Sequence, residues 1–439
     1  MTGLTRLVWH RGDLRTHDHA ALAAAATEGA AVAGVVVPDP AILDGTSARR
    51  RALFHVNTEA LRATYQRLGS VLVVRPGVPW TVVPELAREL GAEGVHALRS
   101  YTPYGVIRDE RTTEALQAAG VAMTWHDGLF VHAPGSLLTR AGGAFSVYTP
   151  YSRRWWDTAV AAPADAPTAL RPPVLPARFD AGAVPDETAD VPLPEPGEAA
   201  ALRRLETFVE EKLDDYLEGR DRLDGRGTSR LSIDISLGTL SPRVAFYRVH
   251  ARGGAAARKW LAELAWRDFM ADLLWHRPWL AERPMDARLA ALEWDDDEAL
   301  IDAWQAGRTG IPVIDAGMRQ LAATGWMSGR ARMVTAQFLT KHLRQDWRRG
   351  EAHFRQMLLD GDAASNIGNW QWAAGLGVDN APYFRVFNPV TQGRQHDPDG
   401  AWLRAWVPES GGNPQPLPHA VVDIAEARRE YLAAMEAVR

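Results

Sequence analysis

Apolar residues in the first third of the chain form short, nearly continuous runs separated by longer amphipathic segments. The runs predict strands at 4–9, 31–37, 71–74, 94–98 and 121–125, and the segments between them predict helices at about 19–28, 48–68, 79–90 and 106–119. Runs without polar alternation are typical of a parallel sheet covered on both faces. Strands that alternate with helices indicate βαβ units, so we predict a Rossmann-like α/β domain at 1–131. No Gly-x-Gly-x-x-Gly follows the first strand, so the ordinary dinucleotide fingerprint is absent.

The pattern changes twice after this domain. Residues 132–197 predict a long interdomain linker, crowded with Pro, Ala, Asp and Glu from 161 to 196, with an ordered anchor at 147–156. From residue 198 to residue 439, apolar residues recur at intervals of three and four positions, which predicts an all-helical domain. Within it, Ser241 followed by Pro242 predicts a capped helix start, because a hydroxyl suits the N-cap and proline suits the first turn.

Composition narrows the protein class. The 439 residues allow two or three domains, and the absence of cysteine excludes disulfides and thiolate metal sites. We predict no metal site. The chain has no signal-peptide pattern and no apolar run that could span a membrane, so we expect a cytoplasmic protein. We also expect a monomer, although the sequence itself does not reveal the oligomeric state. The net charge is −5, so any contact with DNA requires a local basic patch.

One stretch concentrates candidate chemistry: residues 360–394, DGDAASNIGNWQWAAGLGVDNAPYFRVFNPVTQGR. Asp360 and Asp362 flank a glycine, and Asn366, Trp370 and Trp372 follow. Carboxylates and amides suit the polar edge of a planar aromatic ligand, and indoles stack or carry electrons. The alternative interpretation is a helix start capped by aspartate and followed by two core tryptophans.

This stretch resembles the C-terminal flavin-site signature of the photolyase/cryptochrome family, DGDxAxNxGxWQWxAGxGxDxxPYFRxFNPxxQ. The resemblance extends over the whole chain, beginning with WHRGDLRTHDHAAL at 9–22. It is strongest to the short bacterial class I cyclobutane pyrimidine dimer (CPD) photolyases of the Thermus type. It implies an N-terminal antenna domain, a linker and a C-terminal helical FAD-binding domain.

The resemblance implies a set of FAD contacts. GTSRLS at 227–232 places small hydroxyls beside free backbone N–H groups, which suits a diphosphate, although by itself the motif is better explained by a capped helix start. The implied FAD-binding residues are Tyr216, Thr228, Ser229, Arg230, Leu231, Ser232, Trp260, Arg267, Arg332, Asp360, Gly361, Asp362 and Asn366. Among them, Arg332 is expected to pair with Asp360, and Asn366 is expected to face flavin N5 and favour reduced FADH⁻.

The resemblance also implies contacts with damaged DNA. These are Arg220, Glu263, Trp266, Arg330, Met333, Trp372 and Arg394, with Lys341 and Arg344 as further backbone contacts. The alternative for Glu263 is an i,i+4 ion pair with Arg267 on the helix surface. Family members that repair (6-4) photoproducts have histidine where this chain has Gly329 and Met333, which favours CPDs. CPD photolyases usually have asparagine where Gly329 stands, so a lesion contact is missing here.

Two further predictions concern light and electrons. Trp294, Trp347 and Trp370 match the family's electron-transfer chain, although core tryptophans are the alternative. The N-terminal domain is expected to hold an antenna chromophore near residues 10–15 and 49–51, or to have an empty site. Tyr104 and Gly105 stand where folate-binding members have Asn-Glu, so a flavin or deazaflavin is favoured over folate.

The resulting hypothesis is a carbon–carbon lyase that repairs CPDs in UV-damaged DNA. Light would excite FADH⁻, which would pass an electron to a flipped-out dimer. The alternatives are a cryptochrome-type photoreceptor that signals without repair, an adenine-nucleotide-binding protein with a helical domain, and a DNA-binding protein without catalysis.

Overall fold

A five-stranded parallel sheet forms the N-terminal part of the computed structural model, which describes residues 4–438. The predicted outer domain limits, residues 1 and 439, lie outside this range. The strands are Thr5–His10 (β1), Ala31–Val36 (β2), Leu72–Val74 (β3), Ala92–Leu98 (β4) and Ala122–His126 (β5). Their order is β3-β2-β1-β4-β5 with parallel pairing throughout, so the predicted parallel sheet is confirmed.

Helices cover both faces of this sheet. They are Ala20–Ala25 (α1), Pro40–Leu43 (α2), Ala48–Arg67 (α3), Pro79–Glu89 (α4) and Pro103–Ala118 (α5). Helix α5 begins at Pro103, earlier than the predicted 106, because the Thr102 side chain caps it by accepting from the Gly105 N–H. Separate apolar clusters lie on the two faces of the sheet, which explains why its strands lack polar alternation.

The segment between the sheet and the helical part contains one helix, which packs on the helical part, and an extended stretch, which packs on the sheet domain. The predicted anchor is helix Tyr148–Asp157 (α6), whose Tyr151 and Trp155 belong to the core of the helical part. The chain that follows runs beside the sheet. Leu170 N–H donates to Leu68 O at 2.7 Å, and Val74 N–H donates to Ala181 O at 2.8 Å.

The C-terminal part is helical, as predicted. Its helices are Glu198–Glu211 (α7), Tyr216–Gly219 (α8), Ser232–Leu237 (α9), Pro242–Arg252 (α10), Gly254–His276 (α11), Glu298–Gln305 (α12), Pro312–Thr324 (α13), Gly329–Gln337 (α14), Trp347–Met357 (α15), Ala363–Ala374 (α16), Pro389–His396 (α17), Ala401–Trp406 (α18) and Ile424–Ala437 (α19). A π-helical turn, Phe338–His342, follows α14. No helix between residues 4 and 438 has both the length and the apolar character needed to cross a membrane.

A buried ion pair joins the two parts. Asp18, which is fully buried beside β1, pairs with Arg243 at 2.6 Å and accepts from the Ser241 hydroxyl. The predicted N-cap is confirmed, because Ser241 Oγ also accepts from Arg243 N–H at 3.1 Å. Breaking a buried pair of this kind costs about 3–5 kcal/mol, so this contact fixes the sheet against the helices.

Candidate cofactor and substrate site

A cavity of about 510 Å³ opens within the helical part, between α9, α11, α14 and α16. Its volume lies in the range of ordinary cofactor sites. Most predicted site residues line it: Tyr216, Arg220, Thr228, Ser229, Arg230, Ser232, Glu263, Trp266, Arg267, Arg330, Arg332, Met333, Asp360, Gly361, Asp362, Asn366, Trp370 and Trp372. The structure therefore brings together residues separated by more than 150 positions in the sequence.

Seven predicted residues lie outside the cavity lining, among them Lys341 and Arg344. Leu231 is fully buried in the core, and Trp260 lies behind the cavity, where its Nε1–H donates to Ser229 Oγ at 3.2 Å. Trp294, Trp347 and Arg394 are farther along the chain and are not among the lining residues. Trp260 is connected to the cavity wall by this hydrogen bond to Ser229.

Two ion pairs organise the polar wall. Arg332 Nη2 lies 2.8 Å from Asp360 Oδ2, as predicted, and Arg267 Nη2 lies 3.5 Å from Asp362 Oδ2. Burial alone would raise the pKa of Asp360, but Arg332, followed by Ser232 and Arg50, outweighs burial and holds that pKa below its ordinary value. The other oxygen of Asp360, Oδ1, is buried without a hydrogen-bond partner among residues 4–438. An acceptor of this kind requires a donor, which a bound ligand can supply.

Asp362 does two things at once. Its side chain caps α16 by accepting from Ser365 N–H at 2.8 Å, and its other oxygen faces Arg267. The capped-helix alternative and the ligand-site interpretation of residues 360–372 are thus compatible. Trp370 is a core residue with 2% exposure, whereas Trp372 is only partly buried.

The surface-pair alternative for Glu263 is wrong. Arg267 faces Asp362, and its guanidinium lies 4.3 Å from the Phe130 ring centroid. Glu263 Oε1 instead accepts from Arg220 Nη1 at 2.5 Å. Glu263 therefore stands at the rim of the cavity with a cation that holds its carboxylate in place.

Asn366 depends on a residue that the sequence did not reveal. Its Nδ2 donates to Glu351 Oε1 at 2.8 Å and to Glu351 O at 3.0 Å. Both amide protons are used, so only Oδ1 of Asn366 can address a ligand. Burial raises the pKa of Glu351. Glu351 lies fifteen positions before Asn366 in another helix, α15, and no local pattern connects the two.

The three predicted electron-transfer tryptophans differ in burial. Trp370 and Trp347 are each 2% exposed, whereas Trp294 is partly exposed. A Cβ at Gly350 would lie only 2.1 Å from the Trp370 ring, so that ring presses against α15 one turn after Trp347. Asp295 N–H donates to Arg344 O at 2.8 Å, which brings the Trp294 segment beside the start of α15. Trp304, which was not predicted, also contacts Trp370, with ring centroids 6.0 Å apart.

The predicted cationic contacts differ in availability. Arg330 Nη2 lies 3.0 Å from Asp221, so this rim arginine is already paired, whereas Arg394 is exposed. Arg344 pairs with Asp295 at 3.2 Å. The prediction that Lys341 contacts DNA is wrong, because its side chain is 1% exposed and its Nζ donates to Arg385 O at 3.0 Å. Burial, and secondarily Arg385, lower the pKa of Lys341 to about 7.

A second cavity, of about 340 Å³, lies between the sheet and the helices. Of the predicted antenna region, Arg11, Gly12, Asp13 and Arg50 line it. His10 does not, because it is fully buried with its Nε2 hydrogen-bonded to the Tyr65 hydroxyl at 2.7 Å. The two cavities share a wall made of Arg267, Gly361 and Asp362, and Arg50 Nη2 donates to Gly361 O at 2.9 Å.

One group in the described chain has the composition of a metal site: His10, Asp13 and His19. Its atoms already bond one another, since His19 Nε2 lies 2.7 Å from Asp13 Oδ2 and His10 Nδ1 lies 3.0 Å from Asp13 O. His19 Nδ1 accepts from Leu22 N–H, which caps α1. The group is therefore a closed hydrogen-bond network beside β1.

Known proteins match this architecture. Residues 260–437 match the FAD binding domain of DNA photolyase, and residues 6–170 match the DNA photolyase domain. A deoxyribodipyrimidine photo-lyase of Thermus thermophilus is 54% identical over 426 residues, which cover 97% of each chain.

Three crystal structures are similar over nearly the full length. A class III photolyase of Agrobacterium tumefaciens has a TM-score of 0.90 and 34% identity, covering 100% of this chain and 98% of that one. A Synechocystis cryptochrome has a TM-score of 0.90 and 28% identity, covering 99% of both chains. A Sulfolobus tokodaii photolyase crystallised with two FAD molecules has a TM-score of 0.87 and 28% identity, covering 99% and 100%. Shared sequence over 97% of the Thermus enzyme, together with this fold, shows that the chain belongs to the DNA photolyase family.

Proposed function

We propose that this protein binds FAD in the 510 Å³ cavity and uses light to split cyclobutane pyrimidine dimers in DNA. The observation that carries the proposal is the convergence of both signature carboxylates and their arginine partners on one cavity beside Trp266 and Glu263. The similarity to the Thermus thermophilus photo-lyase supports the same activity.

The residues of the cavity suit the parts of FAD. Thr228 and Ser229 supply hydroxyls for the diphosphate. The unpartnered Oδ1 of Asp360 accepts one hydrogen bond from the ligand, and Arg332 keeps that carboxylate charged. When bound in its reduced form, FAD supplies a light-excited electron to the dimer and receives it back after the ring has opened.

Asn366 determines which protonation state is favoured at the reacting edge. Glu351 uses both protons of the Asn366 amide, so Oδ1 can only accept. An acceptor beside flavin N5 favours a proton on that nitrogen, as in FADH⁻. An amide also has no readily lost proton of its own to exchange with the ring.

The lesion side is formed by Glu263, Trp266, Met333 and Trp372. A dimer inside a duplex cannot reach this cavity, so the damaged bases must be extruded. Stacking on an aromatic ring contributes about 1–3 kcal/mol per base, and the Glu263 carboxylate can accept from a pyrimidine imide N–H. The net charge of −5 means that local arginines must hold the phosphates, so binding weakens with added salt.

Illumination of the purified protein with a thymine-dimer oligonucleotide tests the proposal. We expect thymine absorbance to return in the light and not in the dark. Glu263→Ala should lower dimer affinity roughly tenfold or more, because a hydrogen bond to a charged group contributes about 1.5–3 kcal/mol. The flavin absorbance should be unchanged. Glu206→Ala is the matched control, since Glu206 also pairs with an arginine, Arg248, but lies away from the cavity.

Other outcomes separate the alternatives. Photoreduction of bound FAD without dimer splitting would identify a cryptochrome-type photoreceptor. A colourless protein that binds only adenine nucleotides would contradict the proposal. Equal losses in the Glu263 and Glu206 variants would exclude a lesion contact at Glu263.

The second cavity is proposed to hold an antenna flavin or deazaflavin. Tyr101 offers a ring contact, and Arg11 and Arg108, which share the single carboxylate of Asp109 at 2.5 and 2.8 Å, leave a net positive charge for a phosphate. The second FAD in the Sulfolobus tokodaii structure supports a flavin, since that photolyase matches this chain over nearly its full length. Tyr104, where folate-binding members differ, donates to Asp39 Oδ2 at 2.7 Å, and Asp39 lines this cavity.

A larger side chain in this cavity should prevent binding of the antenna chromophore without affecting FAD in the other cavity. A Cβ at Gly12 would make only an ordinary 3.8 Å contact with Ser236 O, and Gly12 lines the cavity, so Gly12→Leu is expected to add side-chain volume there. We expect the variant to lose a second chromophore and its light-harvesting band while keeping FAD. Spectra of chromophores released by heat measure both. A second flavin retained at full occupancy would contradict this location.

A further inference from the structure

Tyr148 lies directly behind the tryptophan proposed to stack on the lesion. It is the first residue of α6, in the segment predicted to be a linker, and it does not line the cavity. Its ring centroid is 3.6 Å from that of Trp266, and the two ring planes differ by 7°. The two rings are therefore stacked face to face, with Trp266 on the cavity side.

Two hydrogen bonds hold Tyr148 from different parts of the chain. Its hydroxyl donates to Ala262 O at 3.0 Å, one turn before Trp266 in α11. Its backbone N–H donates to Asp379 Oδ1 at 2.7 Å. Asp379 has a φ of 54°, a left-handed conformation that is uncommon outside glycine, and it belongs to the signature loop that follows α16. Tyr148 thus connects α6, α11 and this loop.

A third ring completes the support. Phe269 lies 5.8 Å from the Tyr148 ring and 5.8 Å from the Trp266 ring, and it meets both at steep angles of 66° and 72°. Phe269 is fully buried, so its position is fixed by the core. The Trp266 indole thus packs one face on Tyr148 and contacts Phe269 at a steep angle, and the same residue lines the cavity.

We propose that Tyr148 is a positioning residue that holds the plane of Trp266 as a preformed stacking platform for the extruded dimer. The inference rests on the proposed function, because it requires Trp266 to contact the lesion. Its physical basis is preorganisation: a side chain already fixed in its binding conformation loses less entropy when the partner arrives. Tyr148 acts on the dimer only through Trp266.

A double-mutant cycle in the dark tests this without catalysis. Dissociation constants for a labelled thymine-dimer oligonucleotide, and for its undamaged counterpart, are measured for the wild type, Tyr148→Leu, Trp266→Ala and the double variant. We expect Tyr148→Leu to weaken dimer binding roughly two- to tenfold, the effect of leaving one side chain free to be ordered on binding. Affinity for undamaged DNA should not change. In the Trp266→Ala background, Tyr148→Leu should have no further effect.

Two variants separate positioning from loss of structure. Tyr148→Phe keeps the ring and removes the hydroxyl, so it should retain most of the dimer affinity. Tyr247→Leu is the matched control: its hydroxyl also donates to a backbone carbonyl, Val160 O at 2.7 Å, but it lies on α10 away from the cavity. A fluorescent adenine analogue opposite the dimer reports extrusion directly, and its signal should fall in Tyr148→Leu but not in Tyr148→Phe or Tyr247→Leu.

The outcomes are distinguishable. If Trp266→Ala leaves dimer affinity unchanged, the proposed lesion contact fails, and this inference fails with it. If Trp266→Ala weakens binding but Tyr148→Leu does not, only the positioning role is overturned. An equal effect of Tyr148→Leu with and without Trp266 would also overturn it, because Tyr148 would then act by another route.

Discussion

Replacing Asp360 with asparagine is expected to weaken FAD binding by roughly 10- to 100-fold, since a hydrogen bond from the ligand to a charged acceptor contributes about 1.5–3 kcal/mol. Asp360 has a side-chain exposure of 2% and lies 2.8 Å from Arg332, whose guanidinium would be left without its partner. The amide would also fail to balance Arg50, the next cation that acts on this carboxylate. The flavin content of the purified variant and its affinity on reconstitution measure the effect.

The contribution of Asp360 to FAD binding depends on pH, because it requires the ionised carboxylate. Because its pKa is lower in the folded protein than its ordinary value of 3.8, the stabilisation is fully present above that value. It is lost as the pH falls through the lowered folded-state pKa. The wild type should therefore keep its flavin contact throughout the neutral range, and the difference between wild type and Asp360→Asn should disappear only in acid.

Asp346→Asn is the matched control for this experiment. Asp346 also pairs with an arginine, Arg348 at 2.6 Å, but both side chains are partly exposed at the start of α15. Exposed pairs contribute about 0–1 kcal/mol, so flavin content should be unchanged. Full flavin retention in Asp360→Asn would show that the Asp360–Arg332 pair supports the fold alone.

Trp370→Phe is expected to remove most of the light-driven reduction of oxidised FAD. Trp370 lines the cavity, and its ring presses on α15, which carries Trp347. Phenylalanine keeps an aromatic ring in the core but is far harder to oxidise than indole. Protein that has been reduced chemically beforehand should still split dimers, because the proposed repair step needs no electron from Trp370. Absorbance of oxidised FAD under blue light follows the first reaction, and dimer repair follows the second.

Trp304 provides the control for Trp370. It contacts the same ring at a centroid distance of 6.0 Å, is fully buried, and lies outside the predicted chain. Trp304→Phe should therefore leave photoreduction largely intact. Slow photoreduction in Trp304→Phe together with normal photoreduction in Trp347→Phe would indicate that electrons reach Trp370 through Trp304 and not through Trp347. Equal loss of repair and photoreduction in Trp370→Phe would contradict an electron-transfer role.

The elements and the site residues were predictable for different reasons. Continuous apolar runs identify buried parallel strands, so all five strands were predicted to within a few residues. Ser241 was recognisable as an N-cap because capping depends on neighbours in the sequence. Most of the cavity residues came from the resemblance of their motifs to a family, which no periodicity could have supplied.

Contacts between distant segments were not predictable. Lys341 looks like a surface cation in the sequence, but the π-helical turn after α14 directs it inward to Arg385 O. Glu263 has an i,i+4 partner available in Arg267, yet both residues find partners elsewhere. These contacts depend on which helices pack against one another, and helix packing is set by the apolar surface buried across the whole core.

The sequence by itself determined the α/β and helical halves, because helix and strand periodicity and capping are local properties, and its family motifs supplied the residues proposed to meet a flavin. Only the tertiary structure decided that Glu351 orients Asn366, that Tyr148 stacks on Trp266, and that two cavities share one wall at Gly361. Each of these contacts joins elements far apart in the chain, where distance and orientation follow from packing.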